Sequence, residues 1–436
     1  MLFMEGGVFS KGIVQGSSVL PLQLSPRLED FSLRIIIPFV FSIYAVYYLV
    51  SARSRPKVYS RPSKLSYFFT KYMESVREVY TPFIWGFTGR IQTLLRPVFK
   101  RARKVNYEEE MVSFSDGGEL TLSWYSEAPN CDASCPIAIV LPGLTGCACA
   151  HYIATMVRSI AQQGYRCVVL NNRGTCEQKL KTPRTYSASD TEDLSEVISL
   201  IQRRYPDAPL TAVGISLGAL ILFNYISSFG DEVFVEANGV GIGPKRTTGG
   251  TKCPLRAGMC ISMLWRLGES SKSLERPIDW LLFNLPLTVL LQRIVHRNAE
   301  VLSDKFDVPR ILRSRSVREF DENLTVDMFG YPSVEEYYNQ ASPAMKLDTI
   351  KTPLLCFVAA DDPFVPLNTI PLDAIAQSSH VMLVLTKHGG HIGFLDSLLP
   401  TGPNLMDRAA AQFCSAVFEN LEELSAAARD QLVTVS

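Results

Sequence analysis

Ser216 stands in a sequence context that suits a nucleophilic serine. It is the centre of Gly214-Ile215-Ser216-Leu217-Gly218, which follows a short apolar segment and precedes one with helical character. A serine at a tight turn from strand to helix exposes its hydroxyl above a sheet, and small flanking residues relieve the crowding there. The amino end of the helix also favours developing negative charge. We therefore predict a nucleophile, with an ordinary structural turn as the alternative.

A base and an acid for this serine follow it along the chain. His391 is flanked by glycines, and a loop of this kind can bring an imidazole within hydrogen-bonding reach of a hydroxyl. Asp361 and Asp362 come after an apolar segment, where a carboxylate can orient the histidine. We predict Asp362 as the acid, because it leads directly into the next loop, and Asp361 as a brace of the turn. The two aspartates remain alternatives, and His388 is interpreted as structural.

A glycine-rich loop could stabilise an oxyanion. Residues 141–146 read LPGLTG and follow a continuous apolar run. Such a loop can aim a backbone N–H at the oxygen of a tetrahedral intermediate, and the residue after the nucleophile supplies a second N–H. We predict the N–H groups of Leu144 and Leu217 as these donors. An ordinary turn between strand and helix is the alternative for the loop.

The pattern of apolar residues predicts the elements that position these side chains. Helices are expected at 153–163, 190–205 and 217–228, the second with Asp190 as N-cap and Asp193 as the acid of a capping box. Strands alternating with long helices indicate a mostly parallel sheet with helices on both faces, an α/β fold. Residues 256–345 are predicted to form a helical cap. The predicted strands are 111–114, 120–124, 137–141, 166–170, 210–213, 354–358 and 381–385.

The charge of the chain is balanced only on average. The 436 residues carry 43 basic and 43 acidic side chains, and 47% are hydrophobic, which excludes a disordered chain and argues against a nucleic-acid binder. Residues 51–104, however, hold 13 basic and two acidic residues. We name residues 53–104 the basic collar. It is predicted either to lie on an anionic membrane surface or to pack as a strap on the following domain.

An uncharged stretch precedes the basic collar. It runs from Ile35 to Val50, and with its flanks it approaches the roughly 20 residues that cross a bilayer. The predicted anchor is residues 35–52. Because five basic residues and no acid follow it within 53–64, the charge bias places the body on the cytosolic side. A buried core helix is the alternative.

The ten cysteines do not form a C-x-x-C pair, so free thiols in a reducing compartment are expected. Cys147 and Cys149 are one residue apart, which suits neither an ordinary disulfide nor a zinc ribbon. No metal and no cofactor are predicted.

Several stretches together resemble a known family. They are GRIQTLLRP (89–97), LPGLTG (141–146), GYRCVV (164–169), NNRG (171–174), TPRTY (182–186), TEDL (191–194), REFD (318–321) with LT (324–325), and GGHIGF (389–394). The chain is similar to the membrane-anchored branch of the α/β-hydrolases, which includes bacterial YheT-type proteins, yeast medium-chain ester synthases and animal phospholipases. The resemblance covers roughly residues 66–420. It implies an α/β-hydrolase fold with Ser216, Asp362 and His391 as nucleophile, acid and base.

The resemblance also implies an activity. We expect a membrane-anchored serine hydrolase that cleaves acyl esters of lipids, notably phosphatidylcholine with shorter or modified acyl chains, and possible acylglycerol substrates. An acyltransferase with the same triad and a non-catalytic membrane-tethered binding protein are the alternatives. The expected partners are lipid substrate and bilayer, without nucleic acid or an obligate protein partner, in the endoplasmic reticulum or another endomembrane. The predicted segments are a tail (1–34), the anchor (35–52), the basic collar (53–104), the catalytic domain (105–424) and a tail (425–436).

Overall fold

The structure, a computed structural model, describes residues 26–84, 86, 88–99, 105–127, 132–230, 252–396 and 402–429. The predicted N-terminal tail up to residue 25 and the C-terminal residues 430–436 lie outside the described residues. The chain divides into two compact units, Met1–Val50 and Ser51–Ser436. The second unit therefore begins within the predicted anchor and includes the basic collar, whereas the sequence placed the start of the catalytic domain at residue 105.

The described part of the first unit is helical. Helix α1 (Pro26–Tyr47) continues into a π-helical turn (Tyr48–Ala52). Its apolar side chains from Ile35 onwards are mostly exposed. By length and composition alone, two helical stretches of the described chain could cross a membrane. Arg34–Ala52 has a mean hydropathy of 2.0 and is 6% buried, and Pro277–Arg297 has a mean hydropathy of 1.4 and is 39% buried.

The second unit is built on a nine-stranded sheet. The spatial order of its strands is β1-β9-β8-β7-β6-β4-β5-β3-β2. β1, β2 and β3 pair antiparallel with their neighbours, and the other pairs are parallel. The strands are β1 (Lys57–Tyr59), β2 (Tyr107–Ser113), β3 (Glu119–Tyr125), β4 (Ile137–Leu141), β5 (Arg166–Asn171), β6 (Leu210–Ile215), β7 (Leu255–Ile261), β8 (Leu354–Ala359) and β9 (Val381–Thr386).

The central strands are apolar throughout because both faces of the sheet are covered. Alternate residues of β4 show this, since Ile137, Ile139 and Leu141 pack in one core while Ala138 and Val140 pack in the other. Helices α5 (Glu192–Arg204) and α6 (Leu217–Ser227) contribute to the first core. The second core receives α2 (Lys64–Tyr72), α4 (His151–Ala161), α16 (Leu405–Glu419) and α17 (Leu421–Arg429).

The basic collar contributes to this packing. β1 pairs with β9 at the edge of the sheet, and the side chains of Phe68 and Phe69 on α2 are fully buried. Helix α3 (Gly89–Phe99) follows, and residues 100–104 lie outside the described residues. The described aromatic residues of the collar are therefore largely part of the domain core, as the predicted strap required, although Tyr67 is 66% exposed.

The helices between β7 and β8 correspond to the predicted cap. The predicted range of 256–345 includes most of β7, a strand that the sequence analysis did not identify. The cap helices are α7 (Leu267–Leu274), α8 (Pro277–Asp279), α9 (Leu285–Arg297), α10 (Ala299–Ser303), α11 (Val308–Ile311), α12 (Val317–Phe320), α13 (Val326–Phe329) and α14 (Val334–Ala341). Helix α15 (Leu372–Gln377) lies between β8 and β9. The architecture is the predicted α/β fold with a mostly parallel, doubly covered sheet.

Candidate active site

Ser216 occupies the sharp turn between β6 and α6. Its φ of 53° and ψ of −114° lie in a region that non-glycine residues rarely adopt. The flanking glycines are required by the close approach of backbone on both sides. A Cβ at Gly214 would lie 2.5 Å from the carbonyl oxygen of Gly218, and a Cβ at Gly218 would lie 2.2 Å from that of Leu141. The turn therefore holds the serine at the carboxyl end of the sheet.

A chain of hydrogen bonds connects Ser216 to the predicted base and acid. The Ser216 Oγ lies 2.8 Å from His391 Nε2, and His391 Nδ1 lies 2.9 and 3.2 Å from the two carboxylate oxygens of Asp362. A carboxylate can only accept hydrogen bonds, so the Nδ1 carries the hydrogen and the Nε2 accepts from the serine hydroxyl. The side chains of His391 and Asp362 are 6% and 0% exposed. The structure thus brings together three residues that lie up to 175 positions apart.

Asp361 and Asp362 have different partners although they are adjacent. Asp361 accepts a hydrogen bond from the Gly390 N–H at 2.9 Å and lies 3.0 Å from His388 Nδ1. Asp362 faces His391 and accepts from the Phe364 N–H at 2.8 Å. The geometry therefore separates a carboxylate that holds the histidine loop from one that contacts the imidazole, in agreement with the preference derived from the sequence.

The loop of His391 is held by residues that the sequence analysis did not select. The Thr93 Oγ1 on α3 accepts the backbone N–H of His391 at 2.9 Å, and the Ser262 Oγ accepts that of Ile392 at 3.1 Å. The ring of Phe364 stacks on the imidazole, with centroids 3.9 Å apart and planes 12° apart. Three elements remote in sequence therefore position one side chain.

The glycine-rich loop lies beside the serine. A Cβ added at Gly143 would lie 3.3 Å from the Cβ of Ser216. The N–H of Gly143 donates to the Tyr152 hydroxyl at 2.8 Å, and the N–H of Thr145 donates to the Tyr186 hydroxyl at 3.1 Å. Burial raises the pKa of both tyrosines, so their hydroxyls remain protonated at neutral pH.

The predicted oxyanion donors differ from these two N–H groups. Within the described residues, the N–H groups of Leu144 and Leu217 have no hydrogen-bond acceptor. Leu217 is the first residue of α6, where a backbone N–H has no partner within the helix. Both groups are therefore available to a ligand, as the prediction requires.

Cysteine residues next to this loop are the described side chains best suited to a metal ion. The sulfur atoms of Cys147, Cys149 and Cys176 all lie within 4.8 Å of one another. Eight described cysteines are free, whereas Cys135 forms a disulfide, so the expectation of free thiols throughout is wrong at Cys135. The hydrogen-bonded residues Ser216, His391 and Asp362 can transfer an acyl group without a metal.

Comparison with known proteins assigns the chain to a class. Residues 136–234 match a family described as alpha/beta hydrolase fold. The chain belongs to the α/β-hydrolase family and is an ester hydrolase, which confirms the fold and enzyme class predicted from the sequence.

Its individual relatives are named for lipid substrates. It is 39% identical over 390 residues to "Phospholipase ABHD3" of Homo sapiens, covering 88% of this chain and 90% of the relative. "Protein abhd-3.2" of Caenorhabditis elegans is 31% identical over 404 residues, covering 92% and 99%. "Monoacylglycerol lipase ABHD2" of Homo sapiens is 28% identical over 393 residues, covering 85% and 87%.

Proposed function

We propose that this protein is a membrane-anchored phospholipase that cleaves acyl esters of phosphatidylcholine with shorter or modified acyl chains, and that it also accepts acylglycerols. The observation that carries the proposal is the hydrogen-bonded sequence Asp362–His391–Ser216 at the turn before α6. The names of the relatives support a lipid ester as the substrate. Ser216, His391 and Asp362 act as nucleophile, general base and orienting acid.

The proposed reaction is acyl transfer to water. As Ser216 Oγ attacks the ester carbonyl carbon, His391 Nε2 takes the hydroxyl proton, and the N–H groups of Leu144 and Leu217 bind the oxyanion. His391 gives this proton to the leaving alcohol oxygen when the carbon–oxygen bond breaks. A water molecule then loses a proton to His391 and attacks the acyl-enzyme, which releases the fatty acid and restores the serine hydroxyl. The carboxylate of Asp362 stabilises the imidazolium in both steps.

The cap offers an apolar surface that suits a lipid substrate. Ile278 and Leu281 are 63% and 60% exposed, whereas Phe283 and Val295 of the same stretch are buried. One face of Pro277–Arg297 therefore packs in the cap while another presents large apolar side chains. This distribution combines the two alternatives for such a helix, a core helix and a lipid-facing surface. We place lipid entry at this exposed face.

We also propose that Arg34–Ala52 is a single membrane anchor, in the endoplasmic reticulum or another endomembrane, with the catalytic domain on the cytosolic side. The length and hydropathy of the helix support the anchor. The basic residues that follow it and the free, exposed Cys149 support the cytosolic side. The disulfide at Cys135 is the observation that opposes this orientation. Protease treatment of intact microsomes tests it, because full protection of the body would place it in the lumen.

The enzymatic proposal is tested by covalent labelling and product analysis. A fluorophosphonate probe should label the full chain, and Ser216→Ala should lose both labelling and hydrolysis of phosphatidylcholine. Hydrolysis that persists in folded Ser216→Ala would refute the mechanism. A folded wild-type chain without labelling would favour the non-catalytic binding protein.

Reaction in ¹⁸O-labelled water with a competing alcohol separates hydrolysis from acyl transfer. The label should enter the released fatty acid. Predominant formation of a new ester would instead identify an acyltransferase. The H-x-x-x-x-D pattern of some acyltransferases, formed here by His391 and Asp396, is not assembled as an active-site pair, since Asp396 forms an ion pair with Arg408 at 2.7 Å.

A further inference from the structure

Three cysteine side chains meet beside the glycine-rich loop. The sulfur of Cys149 lies 3.5 Å from that of Cys147 and 3.5 Å from that of Cys176, and all three lie within 4.8 Å of one another. Cys147 directly follows the loop of residues 141–146, and Cys149 lies two residues before α4. Cys176 comes from the loop after β5. The fold thus joins ligands from two segments, which the spacing of Cys147 and Cys149 alone did not indicate.

The spacing of the sulfur atoms fits a tetrahedral metal ion. With a Zn–S distance of about 2.3 Å, two thiolates on a tetrahedron lie about 3.8 Å apart, which is inside the observed spread. A covalent disulfide needs about 2.05 Å, much less than either 3.5 Å separation. Only small movements of the side chains would be needed to ligate an ion.

The chemistry of the cluster also favours a metal. A hydrogen bond from the Cys176 thiol, together with the N–H groups of Cys149 and Ala150, lowers the pKa of Cys147 to about 6. One ligand is therefore already a thiolate at neutral pH, and thiolates are soft donors that prefer ions such as Zn²⁺. Cys149 is exposed and the other two are half-buried, so an ion can enter from solvent.

We propose that Cys147, Cys149 and Cys176 form a binding site for one Zn²⁺ ion, with solvent as the fourth ligand. Binding releases the remaining thiol protons to water and changes no oxidation state. The ion takes no part in the reaction of Ser216. It ties the loop that carries Leu144 to the loop after β5, where the N–H of Ala148 already donates to Asn171 Oδ1 at 2.8 Å.

Metal titration of the full chain tests the site. The protein is reduced, stripped of metal in detergent micelles and titrated with Cd²⁺, whose bonds to thiolates give a charge-transfer absorption. We expect saturation at one ion per chain and displacement by Zn²⁺. Cys149→Ser and Cys176→Ser should each weaken binding by roughly 100-fold or more, because the loss of an outer-shell partner alone costs about 10- to 100-fold. Zn²⁺ should raise the thermal midpoint of the wild type but not of these variants.

A matched control separates the cluster from other thiols. Cys253 is free, buried and outside the cluster, so Cys253→Ser should bind Cd²⁺ like the wild type. Cys149 is exposed, so its substitution keeps the fold, which circular dichroism verifies. The proposal is overturned if the wild type gives no charge-transfer band, or if binding survives in both cluster variants. It is equally overturned if the chain, alkylated on extraction from its cells, carries a disulfide between two of the three cysteines.

Discussion

The substitution Asp362→Asn is expected to abolish most of the activity, whereas Asp361→Asn is expected to leave it within tenfold. Both changes remove one negative charge at nearly constant volume. Asp362 is in contact with His391 Nδ1 at 2.9 Å, and its side chain is fully buried. Asp361 contacts His388 and the N–H of Gly390 instead. The pair is therefore a test of geometry at the same sequence position but for one residue.

The expected magnitude follows from the proton positions. The amide nitrogen of an asparagine at 362 can donate to an unprotonated Nδ1, which places the hydrogen of His391 on Nε2. In this tautomer the imidazole cannot take the proton of Ser216, and the imidazolium formed during attack has no buried counter-charge. We expect kcat to fall about 10⁴-fold, or roughly 5 kcal/mol in the activation free energy, with a smaller change in KM.

The assay is hydrolysis of a short-chain phosphatidylcholine by the full-length variants, with kcat and KM measured separately and the fold checked by thermal unfolding. Two results would refute the reasoning. If Asp362→Asn keeps activity within tenfold, the carboxylate does not set the tautomer. If Asp361→Asn shows the larger loss of kcat while remaining folded, the acid has been assigned to the wrong aspartate.

Three further predictions concern the support of the site and the fold. Thr93→Val leaves the buried N–H of His391 without its acceptor, a loss of about 1–3 kcal/mol, so we expect a roughly tenfold lower kcat at unchanged KM and recovery in Thr93→Ser; equal kinetics for all three would contradict this role. Gly218→Ala forces a Cβ to within 2.2 Å of backbone and should destabilise the chain by about 3 kcal/mol or more in urea unfolding, whereas Gly268→Ala, which meets nothing within 4 Å, should be neutral or stabilising. Burial raises the pKa of Asp321 to about 6 from its ordinary 3.8, so the folded state binds more protons than the unfolded state between these values. The free energy of unfolding should therefore fall as pH rises from about 4 to 6, and Asp321→Asn should lack this slope; parallel pH profiles of urea midpoints would exclude it.

The central strands and the residues around Ser216 could be predicted from the sequence because local pattern and tertiary environment agree there. Strand β4 is apolar at every position because both of its faces are buried. Strand β7 was missed because Arg256 and Gly258 interrupt its apolar run. The glycine is a packing requirement, since a Cβ there would lie 2.6 Å from the side chain of Ile226. A contact with a helix some thirty residues away is not visible in a local pattern.

The start of α5 shows how a tertiary ion pair replaces a local cap. The sequence predicted Asp190 as N-cap and Asp193 as the acid of a capping box. The helix instead begins at Glu192, and no side chain caps it. Asp193 forms a two-point ion pair with Arg173, whose side chain is only 2% exposed. Removing a buried guanidinium from its partner costs more than losing a cap, so the carboxylate serves the arginine.

The basic collar was the segment that the sequence described least well, because its charge drew attention away from its packing. Gly390 approaches α3 so closely that a Cβ would lie 2.1 Å from the Gly89 carbonyl oxygen, and Thr93 on the same helix holds the backbone of His391. A signal for this role was present, since residues 89–97 belong to the stretches that resemble the family although they lie outside the predicted domain. A helix that contacts the loop of the base must be in place before that loop can be ordered. The segment after the anchor therefore positions the catalytic histidine, and shortening the protein to the predicted domain at residue 105 would remove this support.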